Sequence, residues 1–356
     1  MFAAAITDLL RLVAVPILGW AAIRDVKTRR VPNETWLPLI GLGVVLLSWD
    51  GLAVWTDTAW MLTIDGLDIG IEAWAAGETV QSFAVRAVIS VGFLVPFAYA
   101  FWWFGGFGGA DAKALMALSV LFPLYPDFYL PALGLNLPWF EAVLGVFALT
   151  ILSNTVLVGA VYPVALAGRN LLAGAISRMM VVGRPIPVDA LPRRYGRLLE
   201  RPDGFTRRGM DLDVLRMYLS WRGLTLAELR SDPERYRDPA SLPEEPNDPG
   251  DGTVPETRGS LALTDGSGRD AGDTDDSAIE VDDDEWGAEA FFEDIGGPIY
   301  GTDPEELRAG LTLAVKKDRV WYSPGIPFIV PMFGGLVVSL LAGDVLVWLL
   351  LQAGLG

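Results

Sequence analysis

Apolar runs long enough to cross a bilayer, joined by short polar segments, constrain this chain more than any other feature. A helix needs roughly 20 mainly apolar residues to span the hydrocarbon core. Runs of that order lie at 3–23, 36–55, 87–104, 138–166 and 326–351, with a shorter one from 112 to about 130. Pro123, Pro126 and Pro131 interrupt the shorter run, and proline is tolerated at membrane depth only where neighbours re-satisfy the backbone. Six crossings are expected, in an all-α polytopic membrane protein. The first run lacks a basic leader and is long for a signal-peptide core, so it is expected to stay in the mature protein.

Composition agrees with this division. The chain is 52% hydrophobic yet carries a formal net charge of -17, which requires apolar and acidic residues to be segregated. Residues 1–167 hold the first five apolar runs, 168–320 form a polar insert, and 321–356 bring in the last run. Within the insert, 168–237 is Arg-rich and expected to be partly helical. Asp211 can cap a periodic stretch that ends at Gly223, and Thr225 with Glu228 reads as a capping box. Residues 238–285 are acidic and rich in Pro, Gly, Ser and Thr; such a segment buries too little apolar surface to offset its ordering entropy and reads as a disordered linker. Residues 286–320 read as a short helical return, with Thr302 and Glu305 at a helix start.

Orientation follows from Lys and Arg near the spans. Arg24, Lys27, Arg29 and Arg30 follow the first run, Lys113 opens the fourth, and Arg169 and Arg178 follow the fifth. Lys316, Lys317 and Arg319 precede the sixth. With six crossings all these clusters fall on the cytoplasmic side and both termini lie outside. The opposite side receives Asp57, Asp65, Asp68, Glu72 and Glu78. Trp102, Trp103 and Trp139 fit an aromatic belt, and the Arg cluster around Arg193 fits a solvated face near anionic head groups.

The chain has no Cys and no His. Disulfides, thiolate or imidazole metal sites, and Cys or His nucleophile systems are therefore excluded, and no cofactor or metal is expected. The Asp282 to Glu285 run lacks the glycine and spaced ligands of a calcium loop. Nothing suggests a nucleic-acid partner. An acidic chain whose positive charge is almost entirely Arg fits a high-salt cytoplasm, where screening acts over about 3 Å at 1 M salt.

Chemistry is left to carboxylates. Asp25 and Asp111 each sit where an apolar run meets a polar joint, and ionisable groups at membrane depth are functional candidates by default. Two adjacent carboxylates cannot both ionise comfortably; one keeps a proton, and the pair can activate a water and polarise the bond it attacks. The competing readings are a solvated loop residue for Asp25, a flexible turn for the glycines before Asp111, and a membrane-edge anchor for Lys113. A functional Lys113 would bias Asp111 or hold a substrate carbonyl. Asp344, in the last run, reads as solvated at the outer end.

The run Gly108-Gly109-Ala110-Asp111-Ala112-Lys113, with Asp25 followed by Lys27, Arg29, Val31, Pro32 and Asn33, resembles the archaeal type IV prepilin and preflagellin peptidases, membrane aspartic proteases of the GxGD class. Trp321 to Phe328 resembles the closing segment of that family. The resemblance covers the spans and implies Asp25 and Asp111 as catalytic residues, with Gly108, Gly109, Ala110 and Lys113 as motif support. Ala110 departs from the family's glycine but remains small. The implied activity is removal of the short basic leader from archaellin and type IV pilin precursors at the cytoplasmic membrane face. Bacterial relatives add an N-methyltransferase activity and a zinc site built from cysteines; without cysteine, protease activity alone is expected here. The reading from another class is a non-catalytic transporter or scaffold whose cytoplasmic segment recruits partners.

Overall fold

The computed structural model describes residues 3–4, 6–56, 60–64, 67–71, 79–130, 134–254, 284–325 and 328–354. Expectations for Asp57, Asp65, Glu72, Glu78, Ile326, Pro327 and the linker residues 255–283 lie outside them. In chain order the helices are α1 (Ile6–Arg11), α2 (Ala14–Thr28), α3 (Leu37–Thr56), α4 (Val80–Ala87), α5 (Leu94–Trp103), α6 (Gly109–Leu121) and α7 (Phe147–Leu172). There follow α8 (Leu212–Arg222), α9 (Leu226–Ser231), α10 (Pro233–Arg237), α11 (Ala288–Asp294), α12 (Pro304–Lys316), α13 (Ile329–Ala342) and α14 (Val345–Gln352). The chain forms two compact units, Met1–Pro163 with Ile326–Gly356, and Val164–Gly325.

Strands accompany the helices, which corrects the purely helical expectation. In the first unit β1 (Ala3–Ala4), β4 (Phe128–Leu130) and β5 (Leu135–Leu137) form one small sheet, and β2 (Trp60–Ile64) pairs with β3 (Leu67–Ile71). In the second unit β6 (Arg184–Pro187), β10 (Arg319–Ser323) and β7 (Arg197–Leu198) pair in that order, beside the hairpin β8 (Glu200–Arg201) and β9 (Gly204–Phe205).

Among the described residues four helical segments are long and apolar enough to cross a membrane: Ile6–Thr28, Asn33–Thr56, Val80–Trp103 and Phe147–Leu172. The other two expected crossings are shorter than composition suggests. Helix α6 has 13 residues, about 20 Å of rise against a hydrocarbon core of about 30 Å. Pro123 stops it, since proline has no N–H to continue the ladder and restricts the residue before it. The last apolar run breaks into α13 and α14 at Gly343, whose φ is 81°.

That break explains Asp344, which is buried and not solvated as expected. Its carboxylate caps α14 by accepting from the Val347 N–H at 3.0 Å, and Thr150 of α7 donates to it at 3.1 Å. Asn154, one turn further along α7, donates to the Gly343 carbonyl at 2.7 Å and accepts from the Val345 N–H at 3.2 Å. A polar stripe on α7 thus satisfies backbone groups that the broken helix leaves open, as an apolar surrounding demands.

Helix packing follows the 3.6-residue period. On α3 the buried positions are Leu39, Gly43, Leu46, Asp50 and Val54, one stripe that meets α6. Gly43 allows the approach: a Cβ there would lie 3.0 Å from the Leu121 backbone N. Asp50 is matched by Arg11, whose guanidinium also bonds Asp8 at 2.9 Å and donates through Nε to the Leu121 carbonyl at 2.8 Å. The span from Val80 to Trp103 widens into a π-helical stretch, Val88–Phe93. Pro96 lies just beyond it, and its ring and missing N–H disturb the preceding turn. Ser90 in that stretch donates to the Ser119 carbonyl of α6 at 2.6 Å.

The second unit has its own core, built around Leu215, Tyr218, Trp221, Phe291, Leu307 and Leu311. Helix α8 starts at the Asp211 cap and stops at Gly223, whose φ is 65°, as the sequence predicts. The Thr225–Glu228 capping box also forms. The cap of α12 is Asp303, with Pro304 in its first turn, and not Thr302; Thr302 instead accepts from the Asp211 N–H at 2.9 Å. Residues 238–254, assigned to the linker by composition, are described and bonded to the second unit. Asn247 donates to the Trp221 carbonyl at 3.0 Å, and the Gly252 carbonyl accepts from Arg216 at 2.5 Å. Backbone contacts to α8 hold this polar stretch, a source of order that apolar content does not register. Asp284, the described acid of the Asp282–Glu285 run next to Glu285, accepts from the Glu289 and Ala290 N–H groups and from Arg308.

Gly43 supplies a direct test of the α3–α6 contact. Gly43→Val is expected to destabilise the protein by about 1–3 kcal/mol, because the facing atoms are backbone and cannot yield. Gly41→Ala, with nothing within 4 Å of its Cβ, is expected to be neutral or slightly stabilising. Thermal unfolding in detergent reads both; equal midpoints for the two variants would refute the close approach.

Candidate active site

Asp25 faces inward because it continues a buried stripe. On α2 the buried positions are Ala14, Leu18, Ala21, Ala22 and Asp25, spaced as one helical face and packed toward α13. A solvated loop residue would not extend that stripe. Helix α2 then ends abruptly: Arg29 adopts φ 57°, ψ 17°, and its N–H bonds the Asp25 carbonyl at 2.9 Å. The left-handed region costs a side-chain-bearing residue roughly 1–2 kcal/mol.

Asp111 lies at the opposite kind of helix end. It is the third residue of α6, where unpaired N–H groups and the helix dipole favour a carboxylate. Its Oδ2 accepts from the Gly108 N–H at 3.2 Å, and the Ile329 N–H, at the start of α13, favours its ionised form. Gly108 makes the first bond possible, because a Cβ there would stand 2.9 Å from that same oxygen. Asp111 precedes the apolar stretch of α6 and lies outside the four spans. Burial pushes its carboxyl up, the charge of Asp25 pushes it further, and the result is about 7 against an ordinary 3.8. The Gly108 and Ile329 N–H groups and the Arg29 charge pull the other way without prevailing. The charge of Asp25 thus acts on the ionisation of Asp111.

The remaining motif residues divide. A Cβ on Gly109 would make an ordinary 3.6 Å contact with the Trp102 indole, and Ala110 packs its methyl against the apolar core. The Lys113 Nζ donates to Asn33 Oδ1 at 2.6 Å. It thereby ties α6 to the 3-10 turn Asn33–Thr35 that follows α2. The loop before Asp111 is braced by aromatic contacts, Phe101 with Phe107 at 5.1 Å and Phe107 with Phe328 at 5.0 Å between ring centroids.

Two participants were not singled out from sequence. The Ile329 N–H is a backbone group, and its only signal is Pro327, a residue favoured near helix starts. Arg29 looked like one base among several. Among the described residues no group of three or more Asp and Glu could hold a metal ion.

The coupling can be measured directly. In Asp25→Asn the Asp111 midpoint is expected to fall below about 7 but to stay above the ordinary carboxylate range, because burial is the larger cause and persists. The carboxyl infrared band followed against pH reads this, and an unchanged midpoint would show that the two groups do not interact.

Compared with known families, residues 12–164 match the model of the Type IV leader peptidase family. The matched stretch contains Asp25, Asp111 and Lys113. No curated protein and no solved structure matches the chain.

Proposed function

Residues 12–164 make this chain a member of the type IV leader peptidase family, and from that premise we propose that it is an aspartic endopeptidase with Asp25 and Asp111 as its catalytic pair. The observation that carries this reading is the placement of two acids facing inward, a buried Asp25 near the end of α2 and a half-buried Asp111 at the start of α6, with the charge of Asp25 raising the Asp111 carboxyl. One carboxylate, ionised, takes a proton from a water held between the pair. The water oxygen attacks the scissile carbonyl carbon while the protonated partner polarises the carbonyl oxygen. Collapse of the tetrahedral adduct breaks the C–N bond, and a proton passes to the leaving amine. The shared proton belongs to the pair, so its two titration steps are properties of the dyad.

The substrates under this proposal are archaellin and type IV pilin precursors, cut between a short basic leader and the apolar segment that follows. Cleavage takes place at the cytoplasmic face, with both chain termini outside. The Lys and Arg residues beside the ends of α2 and α7 support that orientation. The net charge of -17 supports a halophilic archaeal source, and the lack of cysteine supports protease activity without N-methylation.

Two measurements test the reading. Asp25→Asn and Asp111→Asn are each expected to abolish leader removal from a precursor in membranes, by about 10³-fold or more, while the variants insert normally. Normal cleavage by either variant would rule the dyad out. Gly108→Ala is expected to slow cleavage by roughly 10–100-fold, since its Cβ displaces the Asp111 carboxylate. Gly109→Ala, with room for its Cβ, is expected to stay near the wild-type rate; the reverse order would refute the assigned role of Gly108.

A further inference from the structure

The end of α7 presents an apolar surface that the second unit leaves open. The last turns of this span, from Val164, belong to that unit together with the chain that follows. Gly174, at φ 67°, ends the helix. Its N–H bonds the Leu171 carbonyl at 3.1 Å, and the Ala175 N–H bonds the Asn170 carbonyl at 2.8 Å, the paired bonds of a Schellman turn. The buried Asn170 side chain then donates to the Met180 carbonyl at 2.8 Å and to the Gly183 carbonyl at 2.7 Å. Further turns close at Met180, Val182 and Gly183, whose N–H groups reach the carbonyls of Ser177 and Met179. The chain is therefore folded back and fixed against the helix end by its own hydrogen bonds. Yet Leu172 is 91% exposed and Ile176 72%, and Leu171 and Val181 are exposed as well.

We propose that residues 171–181 are an interfacial lipid anchor: the apolar side chains enter the boundary between head groups and acyl chains, and Arg169 and Arg178 bind anionic head groups. Three observations choose lipid over another occupant. The segment is covalently continuous with a helix long and apolar enough to cross a bilayer, so it emerges where hydrocarbon gives way to head groups. The stretch 164–188 contains no Asp or Glu, although the chain has 44, so no carboxylate next to it in sequence competes with an anionic surface. Arg169 and Arg178 are exposed, and among the described residues neither guanidinium takes part in an ion pair or hydrogen bond. Arg201, Arg230, Arg237 and Arg308 of the same unit each meet a carboxylate. A folded-back segment with its own hydrogen bonds can enter the boundary layer without leaving amides unpaired. Long arginine side chains lay their stems on apolar surface while the guanidinium reaches phosphate. The inference rests on α7 crossing the membrane and is independent of the dyad.

Because the chain has no cysteine, one introduced cysteine carries one nitroxide label. Collisions with oxygen, which concentrates in hydrocarbon, and with a water-soluble nickel chelate then locate it. The full chain is placed in vesicles of phosphatidylcholine, with or without phosphatidylglycerol. On Ile176→Cys the ratio of oxygen to nickel collisions is expected to be about fivefold that on Glu234→Cys, an exposed position of α10. Phosphatidylglycerol is expected to raise the Ile176→Cys ratio by about twofold, and Arg169→Gln combined with Arg178→Gln to remove that rise. Equal ratios at the two positions overturn the anchor. So does a label shielded from both reagents, the mark of a second copy or another protein seated on the segment. A rise that survives loss of both arginines overturns their assignment to head groups. Val156→Cys, exposed along the middle of α7, keeps the outcomes apart. Nickel access there removes the span and the anchor with it, whereas a dry Val156→Cys beside a wet Ile176→Cys removes only the anchor.

Discussion

An arginine buried among apolar helices must bring its counter-charges with it, and Arg11 does so. Asp8 from its own helix and Asp50 from α3 flank the guanidinium, while its Nε reaches the Leu121 carbonyl at the end of α6. Removing one partner of such a cluster leaves an uncompensated charge, which typically costs about 3–5 kcal/mol. The arrangement therefore holds α1, α3 and α6 in a common register. Helix α6 is fastened at its other end as well, by Lys113 to Asn33 and by Asp111 to the Gly108 N–H. A helix of 13 residues pinned at both ends cannot slide, and the carboxylate at its start keeps its place.

Asp111 shows opposed forces nearly in balance. A helix N-terminus and the Gly108 N–H donor favour the anion by amounts of order 1 kcal/mol each. Desolvation and a second carboxylate favour the acid, and they win, which moves the carboxyl to about 7. A group so placed holds or releases a proton near neutral pH with little change in free energy. That is the property general acid–base chemistry requires.

Much of this was legible in the sequence, because the informative residues contradict their surroundings. Asp25 and Asp111 stand out as acids at the edges of apolar runs, and Asp211, Gly223, Thr225 and Glu228 announce helix ends by type and spacing. Other features carry no such mark. Window hydropathy treats 326–351 as continuous, yet the Gly343–Asp344 pair separates two helices within it. Asp344 reads as solvated until Thr150 and Asn154, almost 200 positions away, are brought beside it. The order in 247–252 comes from α8 and not from its own apolar content. Arg29 looks like any basic anchor, since neither its left-handed backbone nor its neighbours are written in its type.

The π-helical stretch at Val88–Phe93 has a consequence for how this span tolerates changes in length. A π-turn accommodates one residue more than an α-turn, so the span already carries an insertion. Adding or deleting a residue in a regular helix rotates everything beyond it by about 100°. Here that rotation would turn Phe97 and Phe101 away from Phe107, with which Phe101 packs ahead of Asp111. Deleting one residue inside Val88–Phe93 instead relaxes the stretch toward regular helix and leaves both flanking faces in phase. The span thus has a splice point, a place where a chain can shed a residue without disturbing the glycine loop below it.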